Sequence, residues 1–432
     1  MTGKKPNKLS PPKSPTLPDS GSSIHGGQTA MSSGEMPRQG PSGAKEIILS
    51  ARGAARVRNG HPWVYRSDLV SAEGVLPGAL AAVRDISGKF LGTALYSSSS
   101  QIAVRMLAPE AITAEQWGAV LRRRIGEAIA LRRRFLRGTD ACRLVFSEAD
   151  FLPGLIVDRY NDVLSLQVLT QAMDADPARQ AIVDELVKLL SPAGIVERVD
   201  EHIRELEQLP ARASGLLYGS RPETVFSMND IRFHYDGLSG QKTGAFLDQR
   251  ENYAAAAQYA RGEALDVFCY QGGFALHLAP VCEAVTGVDA SRAALEVAEQ
   301  NAALNGRELE WLEANAFDLL KDYASAGRQF DTIVLDPPAF AKTRRSVPGA
   351  LRGYKELNLR ALKMLRPNGL LVTCSCSYHV SEGEFLGMLA SAALDAGRQL
   401  RILERRSQAK DHPILLTVPE TQYLKCILTL VL

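Results

Sequence analysis

Across the last two fifths of the chain, short apolar runs alternate with longer stretches of helical periodicity. This rhythm predicts a parallel sheet wrapped by helices. Leu265 to Phe268 reads as a strand, Gly272-Gly273 as a tight turn, and Phe274 to Leu278 as the opening of a helix. A second strand, Ala284 to Val288, ends at Asp289 and is followed by a helix over Ala293 to Asn305. Leu309 to Leu312 and Thr332 to Leu335 are further strands, the latter running into Asp336-Pro337-Pro338-Ala339-Phe340. Leu357 to Leu365 is helical, and Pro367-Asn368-Gly369 turns the chain into a strand, Leu370 to Thr373, that ends in Cys374-Ser375-Cys376-Ser377. Tyr423 to Val431 suits a last strand, paired antiparallel in the same sheet. The fold class is α/β, with a Rossmann-like domain over residues 238–432.

The pattern upstream differs. Residues 1–44 are rich in Pro, Ser, Gly and Lys without periodicity, which predicts a disordered tail. Over residues 45–110, apolar runs at Ile47 to Leu49, Leu80 to Val83, Phe90 to Leu95 and Ile102 to Met106 predict a small β-barrel-like module. Within it, Arg56, Arg58 and His61 stand beside Trp63 and Tyr65. That mixture suits phosphates and stacked bases, and equally a barrel core with arginines in water. Residues 111–138 read as a linker helix with an apolar side (Val120, Leu121, Ile125, Ala128, Ile129, Leu131). The same stretch carries Arg122, Arg123, Arg124, Arg132, Arg133, Arg134 and Arg137. A solvated helix and a phosphate-contacting helix are both consistent with it. Residues 139–237 mix strands (Arg143 to Phe146, Leu155 to Val157, Val163 to Leu169, Ile195 to Val199) with a helix over Pro177 to Leu190, a central α+β domain that would shape a substrate cleft.

Composition sharpens the picture only slightly. A net charge of +2 does not by itself announce nucleic acid. No apolar run approaches the ~20 residues a membrane helix needs, and the polar N-terminus has no signal-peptide core. Six cysteines without a dense pattern suit a reducing cytoplasm, and none has zinc spacing, so no metal is expected.

The chemistry sits at the strand ends. Backbone glycines let a ligand approach, and a carboxylate about 20 residues on suits a ribose. The glycine turn, Asp289 and Asp336-Pro337-Pro338-x-Phe340, in that order, resemble a class I S-adenosylmethionine-dependent methyltransferase. In that reading Asp266, Phe268, Tyr270, Gly272, Gly273 and Phe274 border the methionine end of S-adenosylmethionine, Asp289 takes the ribose, and Asn315 and Phe317 take the adenine. Arg250, in Leu247-Asp248-Gln249-Arg250, is expected to neutralise the methionine carboxylate or to cap the following helix. Pro337 and Pro338 stiffen a loop from which Asp336 holds a base edge and Phe340 stacks on it. Methyl transfer to C5 of a pyrimidine needs a thiolate adding to C6, hence a cysteine at a strand end facing the cofactor. Cys374 and Cys376 lie on one face of an extended segment, and Cys376 is the favoured nucleophile.

Further motifs occur in order: His61-Pro62-Trp63-Val64-Tyr65, Leu152-Pro153-Gly154-Leu155-Ile156-Val157-Asp158-Arg159-Tyr160, Lys242-Thr243-Gly244, Arg352-Gly353-Tyr354-Lys355, Ser375-Cys376-Ser377, Asp411-His412-Pro413 and Tyr423-Leu424-Lys425. With them the chain resembles the bacterial 23S rRNA cytosine-C5 methyltransferases that carry an N-terminal PUA domain. The resemblance implies a PUA domain for RNA docking (Arg56, Arg58 and Trp63 as contacts), Cys376 as nucleophile, 23S rRNA or a large-subunit precursor as partner, and a possible homodimer without membrane association. Three positions depart from the family pattern: Cys374 replaces an apolar residue, Asn315 an aspartate, and Ala339 the second cysteine of another cytosine methyltransferase class.

Overall fold

The computed structural model describes residues 45–238 and 244–432. The expected tail, Lys242 and Thr243 lie outside them. The N-terminal part forms one six-stranded sheet, in spatial order Trp63–Tyr65, Ile102–Ala108, Phe90–Tyr96, Leu80–Asp85, Glu46–Leu49, Leu69–Ser71. It closes around Ile47, Leu49, Val64, Val83 and Val104, all fully buried. One element differs from the sequence reading. Arg56 and Arg58 lie on a helix, Ala51–Arg58, capped by the Ser50 hydroxyl accepting from Gly53 N. The helix Ala114–Phe135 follows, with a Thr113–Gln116 capping box at its start. It packs on a five-stranded central sheet (Gly215–Gly219, Gly194–Glu197, Val163–Val168, Leu155–Tyr160, Ala141–Phe146) through Leu121, Ile125 and Ile129. A hairpin, Glu223–Met228 with Ile231–Asp236, leads into the last domain.

That domain is a seven-stranded sheet. Its strands are β1 (Glu263–Val267), β2 (Ala284–Asp289), β3 (Glu310–Glu313), β4 (Phe330–Leu335), β5 (Leu365–Ser375), β6 (Leu400–Arg406) and β7 (Lys425–Val431). Their order is β3-β2-β1-β4-β5-β7-β6. β1 to β5 run parallel, and β7 inserts antiparallel between β5 and β6. The helices are α1 (Arg250–Tyr259), α2 (Gly273–Leu278), α3 (Arg292–Leu304), α4 (Ala316–Ser325), α5 (Val347–Met364) and α6 (Glu382–Asp395). β1 and β4 are buried on both faces, as parallel strands covered by helices must be. Two local readings are corrected. α5 starts ten residues before Leu357, because Val347, Ala350 and Tyr354 continue its buried stripe. Pro367-Asn368-Gly369 interrupts β5 rather than preceding it: Leu365 already pairs with Phe330, and Asn368 takes a left-handed conformation before pairing resumes at Leu370.

Candidate active site

The order reverses between β1 and β4, and an open sheet places its ligand at such a point. The link from β1 to α2 is strained to suit. Phe268, Tyr270 and Gly272 all have positive φ (68°, 51° and 84°), a cost of about 1–3 kcal/mol for each non-glycine residue. The strain aims backbone N–H groups at two carboxylates. Tyr270 N and Ser291 N donate to Asp289 at 2.9 Å each, fixing a partly exposed carboxylate at the end of β2. Ala275 N donates to Asp266 Oδ2 at 2.8 Å. Asp266 Oδ1 is buried and has no partner among the described residues. Burial, with help from Asp336 and Asp289, pushes the Asp266 carboxyl up to about 8 against the pull of Ala275 N–H. An unpaired buried carboxylate oxygen beside a glycine turn fits an incoming ammonium, the donor that the methionine end of S-adenosylmethionine carries.

A cleft opens beside this turn, lined by Phe246, Phe268, Tyr270, Gln271, Gly273 and Asp336, with Met228 and Phe233 contributed by the hairpin. Phe274 is buried under Tyr253, edge-on at 4.7 Å, and so supports the turn from below. Asn315 is the N-cap of α4: its Oδ1 accepts from Phe317 N and Asp318 N, which leaves its amide NH2 for a base. Phe317 leans towards Phe340 (6.2 Å between centroids), and Phe340 packs on Tyr354 at 4.7 Å.

Arg250 requires a correction. Its guanidinium is buried on Asp411 (3.1 and 3.2 Å) and Ala141 O (3.3 Å), so it has no reach to a cofactor carboxylate. Each of the three N-terminal residues proposed for RNA is engaged within the chain. Arg56 stacks on Tyr65 and pairs with Asp68, Arg58 pairs with Asp85, and Trp63 Nε1 donates to Glu148 of the central domain at 3.0 Å.

The second wall of the site is the end of β5. Alternation turns Ser375 and Ser377 to one side, where both hydroxyls meet the Tyr354 hydroxyl (3.0 and 2.9 Å). Ala341 N, just past the Asp-Pro-Pro loop, donates to Ser377 Oγ at 3.1 Å. Lys425 Nζ donates to Ser377 O and Val380 O at 2.7 and 2.8 Å. Burial pulls the Lys425 ammonium down to about 8. These bonds fix the backbone that carries Cys376. Its thiol is half-buried against the Asp-Pro-Pro loop, 3.9 Å from Pro337 O. Cys374 shares that side of the strand but is fully buried, beside Cys426 of β7. Of the two candidate thiols, only Cys376 is open to a ligand.

Asp336, at the end of β4, accepts from Gln249 Nε2 at 3.0 Å, and burial with the nearby Asp248 carboxylate raises it to about 7. The same environment pushes the Cys376 thiol up to about 12: burial first, then Asp336 and Asp248, against the ammonium of Lys425. Asp248 is itself held by the Tyr423 hydroxyl at 2.6 Å. Sequence reasoning gave Tyr354, Gln249, Tyr423 and Lys425 no role. All four lay in motifs already noted, but their work depends on partners 21 to 175 residues away.

Comparison with known proteins places the chain among relatives. Residues 47–109 match the PUA-like domain family, and residues 152–427 match the S-adenosylmethionine-dependent methyltransferase family. The ribosomal RNA large subunit methyltransferase I of Shewanella denitrificans is 40% identical over 379 residues, covering 84% of this chain and 94% of that protein. Its namesakes in Alteromonas mediterranea and Klebsiella pneumoniae are each 37% identical, covering 88% of this chain and 97% and 96% of theirs. Among solved structures, a methyltransferase complexed with SAH superposes with a TM-score of 0.76 at 19% identity, and an S-adenosylmethionine-dependent methyltransferase from Streptococcus mutans with 0.75 at 18%. Each covers 89% of this chain and 99% of that one, which establishes a shared fold.

Proposed function

Because the chain belongs to the ribosomal RNA large subunit methyltransferase I family, we propose that it methylates C5 of a cytosine in 23S rRNA through a covalent bond from Cys376. It is an S-adenosylmethionine-dependent methyltransferase. Bound in the cleft, that cofactor supplies an electrophilic methyl group. Asp266 and the backbone of the glycine turn hold its amino acid end, Asp289 its ribose, and Asn315 with Phe317 its adenine.

The observation that carries the C5 reading is the placement of Cys376. Its half-buried thiol, one residue past β5, stands against the Asp336-Pro337-Pro338 loop, and Asp336 lines the cleft beside the glycine turn. Transfer to an exocyclic nitrogen needs a positioned lone pair and no thiol. A cytosine C5 needs activation, and a thiolate adding to C6 supplies it. The chain's part is then ordered. The flipped base enters beside Pro337 and Pro338, stacks near Phe340 and presents its edge to Asp336. The Cys376 thiol gives up its proton as its sulfur bonds to C6, and the displaced electron pair of the C5–C6 double bond makes C5 nucleophilic. Once C5 is methylated, loss of its proton and breakage of the S–C6 bond restore the aromatic ring and release the thiolate.

The test is methyl transfer from tritiated cofactor to large-subunit rRNA lacking its native methyl groups, followed by nucleoside analysis. Label in 5-methylcytidine is expected, together with an SDS-stable protein–RNA adduct when the RNA carries 5-fluorocytidine. Label in any other nucleoside refutes the C5 reading. Normal turnover by Cys376→Ala refutes the nucleophile.

A further inference from the structure

We propose that the outer face of the helix Ala114–Phe135 is a docking track for the phosphate backbone of the RNA substrate, separate from the catalytic cleft. The inference rests on the rRNA substrate proposed above. The helix buries Leu121, Ile125, Ala128, Ile129 and Arg132 against the central domain. At about 100° per residue, Arg122, Arg133, Arg123 and Arg134 fall within roughly 120° of arc that runs from the edge of this buried stripe round to the far side. All four are exposed, as is Arg137 just beyond the helix end. From Arg122 to Arg134 the track is about 18 Å long, enough to follow several phosphates.

The fold does not need this charge. Of the five, only Arg123 has an ion-pair partner among the described residues, Glu127 at 2.7 Å. Arg133 and Arg137 reach only backbone carbonyls. The helix dipole favours cations in the last turn and so accounts for Arg133 and Arg134, but it does not reach Arg122 and Arg123 three turns earlier. Like charges this close repel, and a polyanion laid along them relieves the repulsion. The other arginines of the run are the contrast: Arg124 donates to Phe151 O and Leu107 O, and Arg132 pairs with buried Asp150.

The track is also rigidly mounted. From the buried side, Arg132 donates to Asp411 O at 2.8 Å, and the Asp411 carboxylate binds Arg250 at the start of α1. A backbone held on the outer face is therefore indexed to the domain that carries Cys376.

The test uses the full-length protein with Arg122→Gln, Arg133→Gln and Arg134→Gln combined. Its control removes charge from exposed arginines of the methyltransferase domain, Arg292→Gln with Arg307→Gln. For the track variant, KM for rRNA is expected to rise about tenfold or more, and the log–log salt dependence of binding to become shallower by about 2–3, as expected for three lost phosphate contacts. Its kcat at saturating RNA, affinity for cofactor and melting temperature should stay at wild-type values, and the control should shift KM far less. An unchanged KM, or an equal rise in the control, overturns the proposal. If wild type shows no RNA-dependent methyl transfer, the proposed function fails first. Filter binding of the same RNA to the two variants then decides the track by itself.

Discussion

At the scale of single residues, burial assigns work that residue type leaves open. Cys374 and Cys376 are one turn of the pleat apart, yet one is sealed in the core and the other is half-buried against the Asp-Pro-Pro loop. Cys374→Ala should therefore cost about 1–2 kcal/mol in urea unfolding and retain turnover, whereas Cys376→Ala should fold normally and lose turnover. His277 makes a second residue-scale prediction. Its ring is buried between Gly273 O (2.7 Å) and Asn229 Nδ2 (3.1 Å), so Nδ1 donates and Nε2 accepts in the neutral form. Burial holds it down to about 4 from an ordinary 6.5. The folded state thus binds the proton less readily than the unfolded state. Stability from His277 is present above pH 6.5 and is lost as pH falls towards 4. His277→Gln should flatten that part of the stability–pH curve in chemical denaturation.

At the scale of elements, β5 shows what holds a reactive group still. Two side chains and one backbone N–H from other elements, Tyr354 of α5, Lys425 of β7 and Ala341 after β4, converge on Ser375 and Ser377. Removing the central hydroxyl in Tyr354→Phe leaves two buried serines short of a partner. The expected loss is about 1–3 kcal/mol of stability. Because Tyr354 touches neither proposed substrate nor cofactor, its effect on catalysis should appear in kcat rather than in cofactor affinity. Equal loss in both would mean the whole cleft has collapsed. The strands themselves were legible beforehand, since β1, β2 and β4 are mostly apolar runs bounded by turn residues. The start of α5 was not, because Pro348 and Gly349 resemble a loop until Val347, Ala350 and Tyr354 are seen to share a buried face.

At the scale of the whole molecule, a buried charge network joins the modules. Arg250 of α1 pairs its guanidinium with the Asp411 carboxylate near the C-terminus, Arg143 of the central sheet donates its backbone N–H to the same carboxylate, and Arg132 of the linker helix donates to the Asp411 backbone carbonyl. His412, Arg250 and Arg143 N–H hold the Asp411 carboxyl well below the usual carboxylate range, despite its burial. Removing one partner strands the others in a low-dielectric interior. Asp411→Asn should cost about 3–5 kcal/mol, measured at neutral pH, with the loss shrinking as pH falls below the ordinary carboxylate range, where the unfolded wild-type chain takes up the proton that the folded carboxylate still excludes.

The order of strands and helices in the methyltransferase domain, the glycine turn and the acidic strand ends followed from the sequence, because hydrophobic periodicity and turn chemistry act between near neighbours. Of Cys374 and Cys376, the sequence reading favoured Cys376, the one that is not fully buried. Tertiary structure alone decided that Arg250 is a structural ion pair, that Tyr354 and Lys425 brace the backbone carrying Cys376, and that the linker arginines divide into buried, paired ones and exposed ones. Each of these depends on a partner brought near by folding, as with Arg250 and Asp411, 161 residues apart. Whether a charge is paired, and so buried or free for a ligand, is set by those distant partners and not by the residues on either side.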